Sequence, residues 1–236
     1  VSQSSLDYDA RFVTEASDVV GCIFYGLGAD GTVGANKNSI KIIGEETPGH
    51  AQGFFVYDSK KSGSRTTSHL RFGPQPIRSA YLVQRAHFIA CHQFQFVDRV
   101  EMLNEAVDGA VFLLNSPFAA DALWDELPRA MQETLLARHI RLYTIDADRV
   151  AADAGMPGRI NTIMQTCFFA ISGVLPRDEA IARIKDSIQA TYARKGMDLV
   201  ESNFAAVDRA LENLHEVPLP ASATSTRRSE PIVPTR

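Results

Sequence analysis

The stretch that decides the fold is DVVGCIFYGLGADGTVGANKNSIKIIG, Asp18 to Gly44. Asp18 to Tyr25 is a short, nearly continuous apolar run, the pattern of a strand covered on both faces. It ends in Gly26-Leu27-Gly28, and from Thr32 onward Val33, Ile40 and Ile43 recur at helical spacing, with Gly44 placed to stop the helix. Ala51 to Tyr57 is the next apolar run, so the spacing predicts a second buried strand and a βαβ unit with a right-handed crossover.

Working outward, the hydrophilic stretch Asp58 to Arg65 predicts a loop, and Thr66 to Phe72 alternates like a strand with one exposed face. Apolar runs at Ala86 to Cys91, Ala110 to Leu114 and Ile140 to Ile145 predict further strands. Helical patterns fall at Asp98 to Val107 and at Asp121 to His139, the latter divided by Pro128. Beyond Gly155 the period is purely helical, over Asn161 to Ile171, Arg177 to Lys195 and Met197 to Leu214. Pro176 followed by Arg177, Asp178 and Glu179 suits a helix start, because proline has no amide hydrogen to lose there and acids complement the dipole. The expected fold is α/β, a three-layer α/β/α sandwich with a mixed, mostly parallel sheet and a helical C-terminal part. The expected organisation is a lead-in over 1–17, one domain over 18–217, and a Pro/Ser/Thr-rich linker or tail over 218–236.

At 236 residues, with 45% hydrophobic and 22% charged residues, the chain is long enough for a full core and too apolar for a disordered segment. No apolar run approaches the roughly 20 residues of a membrane span, and a net charge of -4 argues against a general nucleic-acid or membrane-surface binder. Three widely spaced cysteines, Cys22, Cys91 and Cys167, give neither a disulfide framework nor a CxxC metal signature, so a reducing, cytoplasmic setting is expected. Val1 at the start and four prolines among the last 19 residues fit a segment of a longer protein.

Gly26, Gly28 and Gly31 form GxGxxG between a predicted strand and helix, where glycines let amides approach a diphosphate; a plain tight turn is the alternative. Asp58, ending the second predicted strand, stands where a dinucleotide-binding protein keeps its ribose acid. Lys60 and Lys61 beside it would suit a ribose phosphate, or would simply be a solvated loop. Arg159 and Asn161 open an apolar helix: they form a second anion grip, or Asn161 caps the helix while Arg159 pairs with an acid. His69, His87 and His92 have no carboxylate or thiol at ligand spacing and read as structural polar residues. No nucleophile, base and orienter set is recognisable, so no catalytic or metal-binding residue is assigned.

The strings YGLGADGTVGANKNSIKIIG, AQGFFVYDSKKSG, SHLRFGPQPI, ALWDELP and GRINTIMQTCFFAISGVLP resemble the pyruvate:ferredoxin (flavodoxin) oxidoreductase family, from about Val19 to about Val217. The resemblance is to its central gamma-type domain. Ala29 stands where many relatives have serine, and Ala90-Cys91-His92 is followed by Gln93 where asparagine is more familiar. The resemblance implies a parent enzyme, expected to be a homodimer, that oxidatively decarboxylates pyruvate to acetyl-coenzyme A and reduces ferredoxin or flavodoxin. It implies thiamine diphosphate, Mg and [4Fe-4S] clusters in other domains, with this domain inactive alone but supplying much of the coenzyme A site. Gly26, Gly28, Asp30, Gly31 and Thr32 would shape the helix N-terminus; Lys60 and Lys61 would grip phosphate; Arg159 and Asn161 would complete the anion pocket. A dehydrogenase domain binding NAD or NADP, and a non-catalytic scaffold in a fusion such as a sulfite reductase flavoprotein, are the competing readings.

Overall fold

The computed structural model describes residues 12–58 and 64–228. Seven strands form one sheet: β1 (Val20–Leu27), β2 (His50–Tyr57), β3 (Arg65–Gly73), β4 (Ala86–Cys91), β5 (Ala106–Asn115), β6 (Arg141–Ile145) and β7 (His215–Glu216), in the order β2-β3-β1-β4-β5-β6-β7. β1, β4, β5 and β6 are parallel neighbours, while β3 runs antiparallel between β2 and β1, and β7 antiparallel beside β6. The mixed, mostly parallel sheet expected from the sequence is therefore present.

One face carries α1 (Thr32–Glu46), α4 (Ala147–Asp153), α5 (Asn161–Ser172), α6 (Arg177–Tyr192) and α7 (Met197–Glu212) over a core centred on Phe24, Phe88 and Phe168. Phe168 meets Phe24 and Phe88 edge-on at 5.2 and 5.0 Å, a favourable arrangement for aromatic rings. α5 is apolar nearly all round because α1, α6 and α7 all pack against it. The other face is covered by a 3-10 turn at Phe94–Asp98, α2 (Leu123–Glu126), α3 (Arg129–Ala137) and the chain around Val217 to Leu219. Pro128 does separate α2 from α3, capping α3 with extended backbone. Among the described residues no helix is long and apolar enough to cross a membrane.

Five local expectations are corrected. β1, α1 and β2 follow one another as expected, but β3 inserts between the two strands, so β1 and β2 are not neighbours. β2 is left at the sheet edge, and none of its residues is fully buried, where a second buried strand was predicted. That insertion also buries β3 from Ser68 to Phe72, where the alternation predicted an exposed face. The helix expected at Asp98 to Val107 does not form. Met102, Leu103 and Ala106 are buried at helix-like spacing, yet the carbonyls of Leu103, Asn104 and Ala106 accept from Arg138 Nη1 at 3.0, 2.9 and 2.6 Å instead of from helical amides. Finally, α1 runs through Gly44 to Glu46, and Thr47 Oγ1 donates to the Ile43 carbonyl at 2.6 Å to close it.

The ends of the described chain are tied down. Glu15 of the lead-in pairs with Arg71 on β3. In the stretch expected as a tail, the Thr224 and Ser225 amides both donate to Gln132 Oε1 at 2.9 Å, and Arg227 reaches Asp98 at 2.5 Å.

Candidate functional site

From β1 the chain crosses to the β3–β2 side of the sheet, and from β4 it moves to the β5 side. Strand order therefore reverses between β1 and β4, and in open α/β sheets ligands bind in the crevice outside the carboxyl ends of strands at such a point. The loop Gly28 to Gly31 lies there, leading directly into α1. Gly31 caps the helix at φ 84°, a left-handed conformation that glycine adopts without strain.

Asp30 organises this loop. Its Oδ2 accepts from the Leu27 amide at 2.7 Å and from Gln93 Nε2 at 3.2 Å; its Oδ1 accepts from the Thr32 amide at 2.9 Å and the Thr32 hydroxyl at 2.6 Å. Because the hydroxyl hydrogen goes to Asp30, His92 Nδ1, 2.9 Å from Thr32 Oγ1, is the donor in that contact, and His92 is the Nδ1–H tautomer. Burial holds His92 well below the ordinary imidazole range, with the Asp30 carboxylate drawing it partly back up. At neutral pH it is an uncharged donor. Behind it, Asn115 Nδ2 donates to the His92 carbonyl at 3.1 Å and to Asp148 Oδ2 at 3.0 Å, while Asn115 Oδ1 accepts from the Ala147 amide at 2.9 Å. The loops after β1, β4 and β5 are thus one hydrogen-bonded unit.

The expected glycines serve close approach. A Cβ on Gly26 would lie 2.3 Å from Thr32 Oγ1, and one on Gly31 would lie 3.2 Å from the Asn161 side chain. Gly28 donates its amide to the Ser64 carbonyl at 2.9 Å, which draws the β2–β3 hairpin alongside the loop. Tyr57, Thr66 and Gly26 share one row of the sheet, so this hairpin turns at the same edge. Lys60 and Lys61, between β2 and β3 in the sequence, lie outside the described residues. Ile160, not Asn161, occupies the N-cap of α5, and Asn161 stands against Gly31. Arg159 is exposed just before it, and among the described residues no acid pairs with it. The structure therefore brings Gly26, Gly28, Asp30, Gly31, Thr32 and Asn161 together, with Arg159 at their margin.

The loop is only partly open as a phosphate cradle. The amides of Leu27, Gly28, Asp30 and Thr32 are taken inside the protein and Asp30 adds a negative charge, while those of Val33 and Gly34 in the first turn of α1 have no intrahelical acceptor. A phosphate about 4 Å from a carboxylate meets roughly 4 kcal/mol of repulsion at an effective dielectric of 20, more than one charge-assisted hydrogen bond of about 1.5–3 kcal/mol returns. The sequence reading took His92 as a structural polar residue and noted Gln93 only for standing where asparagine is more familiar; Asn115 escaped it. Asn115 had a usable signal, a polar residue ending a central apolar strand beside the order reversal.

The three cysteines sit on β1, β4 and α5, all buried. Burial pushes the Cys91 thiol up to about 12 and the other two higher still, so these are core side chains. Among the described residues no group of three or more His, Cys, Asp or Glu side chains could hold a metal ion.

The family model of pyruvate ferredoxin/flavodoxin oxidoreductase matches residues 21–213. The chain belongs to this family. Its similarity to a putative pyruvate-flavodoxin oxidoreductase of Synechocystis is 57% identity over 99% of the chain, covering 20% of that relative. The chain thus spans about a fifth of the length of the curated relatives it matches. Pyruvate oxidoreductase subunit PORC of Thermotoga maritima has the same fold, with TM-score 0.66 at 14% identity over 85% of this chain and 99% of that subunit. So does part of a 2-oxoglutarate:ferredoxin oxidoreductase of Magnetococcus marinus, solved with 2-oxoglutarate, coenzyme A and succinyl-CoA bound, at TM-score 0.60 and 13% identity over 91% of this chain and 33% of that one. The matched region contains the whole Asp30–Thr32–His92 unit and α5.

Proposed function

We propose that this chain is the gamma-type domain of an oxidoreductase that decarboxylates pyruvate, delivers the acetyl group to coenzyme A and reduces ferredoxin or flavodoxin, and that its reversal-point edge supplies much of the coenzyme A site. The observation that carries the reading is the convergence of the Gly28–Gly31 loop, the β2–β3 hairpin at Ser64 and the start of α5 at Asn161 on one edge. In this reading Gly26, Gly28, Asp30, Gly31, Thr32 and Asn161 form its floor. Arg159 stands at the rim, with the Lys60–Lys61 pair as the phosphate grip. The Magnetococcus relative's bound coenzyme A supports the ligand class. Thiamine diphosphate, Mg and the iron–sulfur clusters belong to other domains of the parent enzyme, a cytoplasmic homodimer in this reading. They supply decarboxylation and electron transfer; this chain's residues bind and orient the acyl acceptor so that its thiol reaches the active centre.

The nicotinamide reading loses its geometry. With β3 between β1 and β2, Asp58 no longer ends a strand adjacent to the glycine loop, and the loop already holds its own carboxylate. Lys60→Ala with Lys61→Ala in the full enzyme tests the proposal. The KM for coenzyme A is expected to rise roughly tenfold or more, since two charge-assisted contacts are lost, with the KM for pyruvate unchanged. An unchanged KM for coenzyme A would remove the site and leave the scaffold reading.

A further inference from the structure

At the amino end of β1, opposite the glycine loop, a cleft of about 560 Å³ opens between the carboxyl ends of α1 and α5. Its floor is apolar: Ile43 and Phe72 are buried, and Val20 and Leu175 are half-buried. Its mouth is negative. The exposed carboxylates of Asp18 and Glu179 stand there, and the last carbonyls of each helix lack intrahelical donors, so each helix end carries roughly half a negative charge. No basic residue lies in the last turn of either helix to offset this. Thr47 Oγ1 donates to the Ile43 carbonyl, and Arg183 meets Glu179 at 3.5 Å, but that ion pair is of the weak, solvent-screened kind.

Resting on the reading of this chain as one domain of a larger oxidoreductase, we infer that the cleft is an interaction surface for a basic side chain, arginine or lysine, presented by another domain of the same polypeptide. Such a side chain fits both halves of the cleft: its methylene stem lies on the apolar floor while its charge stays at the mouth. There it donates to helix carbonyls and to a carboxylate together, with charge-assisted hydrogen bonds. A neutral apolar segment would cover the same floor but leave the two carboxylates and the helix ends uncompensated. The chain spans 20% of a curated relative, so most of a polypeptide of that length is available to supply the cation.

The test uses the full enzyme carrying Val174→Cys, a conservative exchange that places a thiol in the cleft wall. Labelling of this cysteine by a neutral maleimide is followed by peptide mass spectrometry, with and without Asp18→Lys combined with Glu179→Lys, both at exposed positions where folding is not at stake. With the native carboxylates the cleft is occupied and labelling is slow; charge reversal expels the basic side chain and is expected to speed labelling at least tenfold. A smaller acceleration would overturn the inference: a fast rate in both forms means an open cleft, and a slow rate in both means a cover that charge does not hold. So would shielding that is lost on dilution of the enzyme, which means a second copy, or on exhaustive dialysis, which means a free amine. Coenzyme A takes no part in these rates, so failure of the Lys60–Lys61 test leaves them standing, and their failure leaves the coenzyme A site untouched.

Discussion

β1 has a buried polar cluster at each end, and the two are built on opposite principles. At its carboxyl end Asp30 is a single charge surrounded by neutral donors, each bond local or between adjacent strand ends. Toward its amino end, β1 pairs Gly21 with Arg71 of β3, whose guanidinium is 1% exposed and meets the Glu15 carboxylate at 2.5 Å. Ser79 Oγ also donates to that carboxylate at 2.7 Å, and the Tyr81 ring lies 5.0 Å from the guanidinium. Yet Arg71 Nη2 and His69 Nδ1 are buried with no hydrogen-bond partner among the described residues. The amino-end cluster joins distant segments through paired opposite charges and tolerates orphaned atoms; the carboxyl-end cluster shapes one loop and satisfies both oxygens of Asp30. A charge pair of the first kind is suited to holding the lead-in on the sheet. A saturated single anion is suited to setting a surface.

Breaking the amino-end pair should have the largest effect. Arg71→Ala leaves Glu15 without its cation, and loss of one partner of a buried pair costs about 3–5 kcal/mol. Chemical denaturation of the domain reads this loss, and Glu15→Gln combined with Arg71→Met should recover most of it, because the uncompensated charge is then gone. Activity of the full enzyme per folded molecule should change little. The carboxyl-end cluster should answer the other way. Gly26→Ala puts a methyl 2.3 Å from Thr32 Oγ1 and 2.7 Å from Thr32 Cβ, so α1 must shift. Overpacking of this kind costs about 1–3 kcal/mol. The same variant should raise the KM for coenzyme A in the full enzyme, the readout that Arg71→Ala leaves unmoved; equal KM effects from both would erase the distinction between the clusters.

How much of each cluster was legible in the sequence follows from the distance its bonds span. The strand-loop-helix run through Gly26, Gly28, Gly31 and Thr32 was readable, since apolar periodicity and glycine spacing are local. Asp30 was readable in part: an Asp two residues before Thr32 can accept that residue's amide, which is an Asx turn, and the 2.9 Å bond is one. The glycine pattern pointed to phosphate because it says nothing about which anion the amides already hold. His92 meets Thr32 across 60 residues, and no pattern in a single chain records that pairing. Arg71 and Glu15 lie 56 residues apart and meet only because β3 inserts beside β1, a long-range pairing that local alternation misread as an exposed strand. The false helix at Asp98 to Val107 failed for the same reason, its carbonyls being claimed by Arg138 from more than 30 residues away.

Acid titration sharpens the contrast with the smallest effect, because each cluster contains one buried histidine. Burial, aided by the Arg71 guanidinium, lowers His69 to about 4 from its ordinary 6.5. The unfolded chain therefore binds a proton that the native state refuses. Stability from this residue is complete above the ordinary value, falls as pH drops from 6.5 toward 4, and levels off below that. At about pH 5.5 the loss is roughly 1.4 kcal/mol. Burial holds His92 down to about 4 as well, with Asp30 already drawing it partly back up, so the two histidines share one sign and one pH window. Replacing either with Gln should therefore flatten the fall in stability between neutral pH and pH 5.5 to a similar degree, as measured by denaturant midpoints at the two pH values. A variant that leaves that fall unchanged would mean that its histidine takes up a proton as readily in the folded chain as in the unfolded one, and that burial at its end of β1 does not keep the ring neutral.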